Sequence, residues 1–132
     1  MLKVITDVLG ALGLRRDVVE VGLDFSVGIG GKRLSAAQRQ KLDLARALVK
    51  RPDLLLLNQS TSLLDSAAQA KVMSNILKSR AGRGVIWVLS HAEHARQFER
   101  VLVLRAGRVV AQGAASELDK PGSILHQQAA AQ

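Results

Sequence analysis

The chain has no cysteine, and its only aromatic residues are Phe25, Trp87 and Phe98. The first absence excludes a disulfide framework and any thiolate metal site. The second leaves no platform on which nucleic-acid bases could stack. The formal charge of +8 and the pI near 10.9 therefore indicate an acidic partner without selecting nucleic acid. Long apolar runs are missing as well, and nothing approaches the ~20 residues of a membrane-spanning helix. No secretory leader is legible: in "MLKVITDVLGALGLRR", Asp7 interrupts the apolar stretch, and the Arg15-Arg16 pair follows that stretch instead of preceding it. A phosphate-cradling G-x-x-x-x-G-K-[ST] loop is also absent. "GIGGKRLS" does not replace it, because Lys32 has the wrong spacing and no strand leads into the segment.

What the sequence does contain is one domain's worth of core, 132 residues of which 48% are hydrophobic. Ile5, Val8, Leu9 and Leu12 recur at helical spacing until Gly13 stops them. Residues 22 to 33 carry four glycines and read as a loop. At Ser35 the local signals converge on a helix: a serine N-cap, Gln38 three residues later to complete a capping box, and Pro52 closing the segment beyond Lys50 and Arg51. Leu54 to Leu57 are apolar without alternation, the mark of a strand covered on both faces in a parallel sheet. A helix from Asp65 follows, with Val72, Met73, Ile76 and Leu77 as its stripe, ending at Gly82. "GVIWVLSH" reads as a second buried strand, and "RVLVLRAGRVVAQG" as a third strand that turns at Ala106-Gly107 and returns. Strands alternating with helices predict an α/β layered fold with a mainly parallel sheet. From Gly113 the chain reads as a short helix, with Ser116 as its cap, that frays into a polar end.

Chemistry concentrates in four short stretches. The start of the helix after Ser35 offers unpaired N–H groups and the positive end of a dipole, an anion site to which the Ser35 hydroxyl adds a donor; the plainer role of Ser35 is the cap alone. Asn58 and Gln59 end the first strand as two polar residues. Asp65 suits an N-cap. His91 stands at the end of the second strand. With His94 it makes an i, i+3 pair around Glu93, but His126 is distant in sequence and no cysteine exists, so no metal site is expected.

In this order, "VGIGGKRLSAAQRQ", "LLLLNQ", "STSLLD" and "LSH" resemble the signature region, Walker B strand, D-loop and switch histidine of ABC transporter nucleotide-binding domains, exporter type, between about residues 5 and 118. The resemblance implies a partial P-loop NTPase (RecA-like) fold lacking the Walker A strand. It divides the chain into residues 1–50 as the remainder of the helical subdomain, 51–118 as the C-terminal half of the core, and 119–132 as a tail. Ser35, Ala36, Ala37 and Gln38 would face a partner's ATP, and Asp65 would serve the dimer interface. Asn58, Gln59 and His91 would occupy the Walker B and switch positions. The sequence departs from the family where alanines replace two glycines at Ala36 and Ala37, and where amides replace two carboxylates at Asn58 and Gln59. ATP and Mg2+ are implied for the parent domain, and neither is expected on this chain alone. The implied partners are a transmembrane domain and a second nucleotide-binding domain, on the cytoplasmic side of a membrane, with self-association of the chain by itself. Two alternatives are a non-enzymatic interaction module and a basic nucleic-acid adaptor, the latter disfavoured by the shortage of aromatics.

Overall fold

The computed structural model describes residues 2–124, so the polar end with His126 lies outside the described residues. Two compact units are present, Met1–Val88 and Leu89–Gln132.

In the first unit, α1 (Leu2–Ala11) ends at Gly13, whose φ of 68° suits glycine, and a second short helix, α2 (Arg15–Val21), follows. Gly13, breaking the apolar periodicity, foretold the stop, but nothing in the short "RRDVVEV" marked the second helix. The 22 to 33 segment is irregular apart from a single 3-10 turn at Ile29–Gly31. α3 (Ala36–Val49) starts from the expected capping box: the Gln38 amide N–H donates to the Ser35 hydroxyl over 3.1 Å, and the Ser35 N–H donates to the Gln38 side chain over 2.9 Å. Such a cap contributes about 1 kcal/mol. Strand β1 (Leu54–Asn58) leads through a turn into α4 (Ser66–Ser79), which Asp65 caps by accepting from the Ala68 N–H at 2.9 Å. β2 (Gly84–Val88) then pairs in parallel with β1, setting Leu56 against Ile86 and Asn58 against Val88.

The core of this unit joins Leu12, Leu44, Leu48, Leu55, Leu57, Val72 and Ile76 from both helices and sheet, and Leu12, Met73 and Ile76 are fully enclosed. α1 packs on both α3 and α4, and the Asn75 amide donates to the Ala11 carbonyl over 3.0 Å to lock that packing. Here the expectation of a strand covered on both faces fails. Leu55 and Leu57 are buried, whereas Leu54 is 53% and Leu56 66% exposed; on β2, Ile86 and Val88 are 55% and 50% exposed. The reason is layering. Helices pack on one face of the β1·β2 pair, and nothing among the described residues of this unit covers the other.

In the second unit a 3-10 segment, Ala92–Gln97, precedes an antiparallel hairpin of β3 (Arg100–Arg105) and β4 (Arg108–Ala114). Ala106 and Gly107 both take positive φ, as the tight turn of a right-twisted hairpin requires. α5 (Ala115–Leu118) closes the described part, with Ala114 in the N-cap place expected for Ser116, which lies inside the helix. Val103 and Ala95 centre a small core of their own. Arg96 meets Asp119 at 2.6 Å, and that hydrogen bond and charge hold its guanidinium above its ordinary range. Among the described residues each sheet thus has two strands, one pair parallel and one antiparallel, where a mainly parallel sheet was expected.

The open face of β1·β2 has a measurable consequence. Covering four half-exposed aliphatic side chains on each of two copies would yield ~8 kcal/mol gross, against association costs of ~4–15 kcal/mol. Weak, concentration-dependent self-association of the chain is therefore the expected result in light scattering. Leu56→Lys with Ile86→Lys should leave a monomer at every concentration, and an unchanged dilution profile in that variant would remove the face from the account.

Candidate functional site

Two structural edges in the first unit hold the residues that sequence motifs singled out. At the start of α3, Ser35 is exposed and its hydroxyl oxygen accepts from the Gln38 N–H, which leaves the hydroxyl proton to donate outward. Ala36 and Ala37 occupy the first two helical positions, whose N–H groups have no acceptor within a helix. These donors and the dipole form an anion-receptive end. Gln38 is differently committed. Its carbonyl serves the capping box, and its amide donates to Asp17 of α2 at 2.6 Å, so its side chain braces the helix start against α2.

The second edge is the C-terminal end of β1. Asn58 is exposed on the open sheet face, and Gln59 beyond it is exposed with φ of 48°. A left-handed backbone at a residue other than glycine costs about 1 kcal/mol or more and persists only where neighbours impose it. They do so here: the Gln59 N–H donates to the Val88 carbonyl at 3.0 Å, and the Gln59 carbonyl accepts from the Gln40 amide at 3.3 Å. Gln40 also accepts from the Leu63 N–H at 3.0 Å, so one α3 side chain staples the turn that carries Gln59 into the loop before Asp65. Sequence reasoning passed over Gln40. Its only signal was a polar residue five positions beyond the Ser35 cap, on a helix otherwise divided into an apolar and a charged face. The same loop is tied from α4, where buried Gln69 donates to the Leu64 carbonyl at 2.9 Å.

His91, in the second unit, is exposed and stands as the N-cap residue of the 3-10 segment. Its ring lies edge-on to that of buried His94, 6.3 Å between centroids, and Glu93 Oε1 is 3.6 Å from His94 Nε2. Among the described residues no group of three or more His, Cys, Asp or Glu side chains converges as a metal site requires.

The arrangement can present a phosphate-class anion with the α3 end. At the end of β1, Asn58 and Gln59 offer neutral amide oxygens in place of charged carboxylates. An amide side chain such as that of Gln59 accepts no proton near neutral pH.

Comparison with known proteins agrees with the motif order. The chain is 36% identical over 122 residues to an ATP-dependent lipid A-core flippase of Bordetella avium, a match covering 91% of this chain and 21% of that protein. It is 38% identical over 97 residues, 74% of the chain and 16% of the relative, to the heterocyst differentiation ATP-binding protein HepA of a Nostoc species. The chain thus spans about a fifth of the length of these curated relatives. No family model matches. Among solved structures, a bacterial Atm1-family ABC exporter with ATP bound superposes with a TM-score of 0.83 over 96% of this chain and 23% of the exporter at 24% identity, which shows a shared fold. Motif order and relatives agree that, over 74–91% of its length, the chain is homologous to ABC transporter and flippase ATP-binding proteins.

Proposed function

We propose that the chain is the signature and Walker B part of an exporter-type ABC ATPase subunit, and that it contributes to nucleotide binding across a subunit pair without hydrolysing ATP at its own Walker B end. The observation that carries this is the amide pair at the end of β1. The turn is held by Val88 and Gln40 in a strained conformation, so the frame of a catalytic strand end is kept, while Asn58 and Gln59 supply none of its charge. Residues at this end do not fit a magnesium ion. Those at the α3 end fit a phosphate, with Ser35 donating through its hydroxyl and Ala36 and Ala37 through their N–H groups, although the two methyl groups crowd the approach. Asp65 would then face the second ATP-binding subunit, and His91 the nucleotide of its own. By this reading residues 1–50 belong to the helical subdomain and 51–118 to the core, and the subunit works with a transmembrane domain on the cytoplasmic side of a membrane. Among the described residues no helix is long and apolar enough to cross a membrane.

Calorimetry of the 132-residue chain with Mg-ATP tests the proposal. The expected result is no tight one-to-one binding, because neither a phosphate-wrapping loop nor a metal-holding carboxylate is present in these residues. One nucleotide bound per chain with a micromolar dissociation constant, about −8 kcal/mol, would sink it. A second reading, a non-enzymatic interaction module, is favoured by the open apolar face of β1·β2. The two diverge over a nucleotide-loaded ATP-binding partner subunit. Association that requires ATP and weakens in Ser35→Ala belongs to the first, and association indifferent to nucleotide belongs to the second.

A further inference from the structure

At the N-terminal edge of β1 and β2, on the far side of the strands from Asn58, the first unit has a cavity of about 370 Å³. Three arginines line it, Arg51, Arg80 and Arg83, and no acidic residue does. Arg80 is only 4% exposed. One of its terminal nitrogens donates to the carbonyls of Asp53 and Gly84, both at a long 3.3 Å, and its Nε has no hydrogen-bond partner among the described residues. Among the described residues none of the three guanidinium groups meets a carboxylate at ion-pair distance, and Arg83 donates to the Arg51 carbonyl at a long 3.5 Å.

A buried cation is normally paired, because desolvation without a counter-charge is costly. C-terminal residues of α1, α3 and α4, namely Ala11, Leu48 and Ser79, also line this cavity, and the partial negative charge of helix C-termini offsets part of the positive charge. Each helix end is equivalent to roughly half a negative charge. Arg51 adds a second sign of specialisation. It sits just past the end of α3 with φ of 49°, a left-handed position usually given to glycine or asparagine, yet here it carries a cation at the cavity wall.

We propose that this cavity is an anion site for a phosphate-class group, with Arg80 as its buried base and Arg51 and Arg83 as its exposed arms. It is separate from the candidate nucleotide edge. Leu54 and Asn58 stand at opposite ends of β1, which at ~3.3 Å per residue places them about 13 Å apart. Guanidinium groups suit the target because their planar forks bond phosphate oxygens in pairs.

The test is calorimetric titration of the 132-residue chain with inorganic phosphate, exchanged against chloride at constant ionic strength. Alongside it runs co-sedimentation with phosphatidylcholine vesicles containing about one-fifth phosphatidic acid. The decisive variant is Arg51→Gly with Arg83→Ala, both exposed positions, the first with a backbone that favours glycine; circular dichroism checks its fold. A control with the same loss of charge, Lys71→Ala with Lys78→Ala, lies outside the cavity. The arginine variant should weaken phosphate or vesicle binding about tenfold or more, and the lysine control should change it by less than about twofold. Binding of free phosphate without vesicle binding assigns a soluble phosphate. Vesicle binding lost in the arginine variant assigns a lipid headgroup. Equal weakening in both variants would reduce the effect to net charge and overturn the proposal, as would the absence of both kinds of binding in the unaltered chain.

Discussion

Replacing Asn58 with aspartate and Gln59 with glutamate should leave the 132-residue chain as inactive toward Mg-ATP as before, and should raise turnover about a hundredfold or more where a longer protein supplies an intact phosphate-wrapping loop. The two substitutions restore what the end of β1 lacks. An aspartate gives a hard cation a charged oxygen, and a glutamate can orient and deprotonate water. Geometry should not resist them. Both positions are exposed, and the contacts that hold Gln59 run through its backbone N–H and carbonyl, which glutamate keeps. What the substitutions do not restore is positioning of the phosphates, and without it charge alone accelerates little. Phosphate release measured against a catalytically dead contaminant control distinguishes the parts. Steady turnover by the doubly substituted 132-residue chain would show that positioning resides in these residues after all.

The second large effect is on stability. Ile76→Ala removes a fully enclosed side chain from the stripe of α4, where it meets the core formed with Leu55, Leu57 and Leu12. The lost transfer energy and the residual cavity together should cost about 2–5 kcal/mol, a large share of the ~5–15 kcal/mol by which domains are stable. Urea unfolding followed by circular dichroism should show the midpoint falling sharply at an unchanged slope. Leu77, half-buried in the same stripe, is the internal comparison: Leu77→Ala should cost clearly less. Equal costs at the two positions would mean that α4 does not bury the face assigned to it.

Much of the candidate site was legible because its motifs are local. Ser35 with Gln38, Asp65 with Ala68, and Ala106 with Gly107 interact over three residues or fewer, so spacing alone predicts the two caps and the hairpin turn. The roles of Asn58 and Gln59 as the end of a strand were legible for the same reason, since an apolar run followed at once by polar residues marks where burial stops.

Contacts across long stretches of chain were decided by tertiary structure. Gln40 reaches Gln59 over 19 residues, Arg80 reaches the Asp53 carbonyl over 27, and Asn75 reaches Ala11 over 64. None of these pairs carries a mark in the sequence, because each depends on which helix faces lie together once α1, α3 and α4 have packed. The open face of β1 shows the same division. Four consecutive leucines determine a strand able to be buried on both sides, but burial needs a layer to lie over each side. In the first unit the helices supply one layer, against Leu55 and Leu57, and leave Leu54 and Leu56 to solvent. Hydrophobic pattern sets what a strand can bury; the packing of distant elements sets what it does bury.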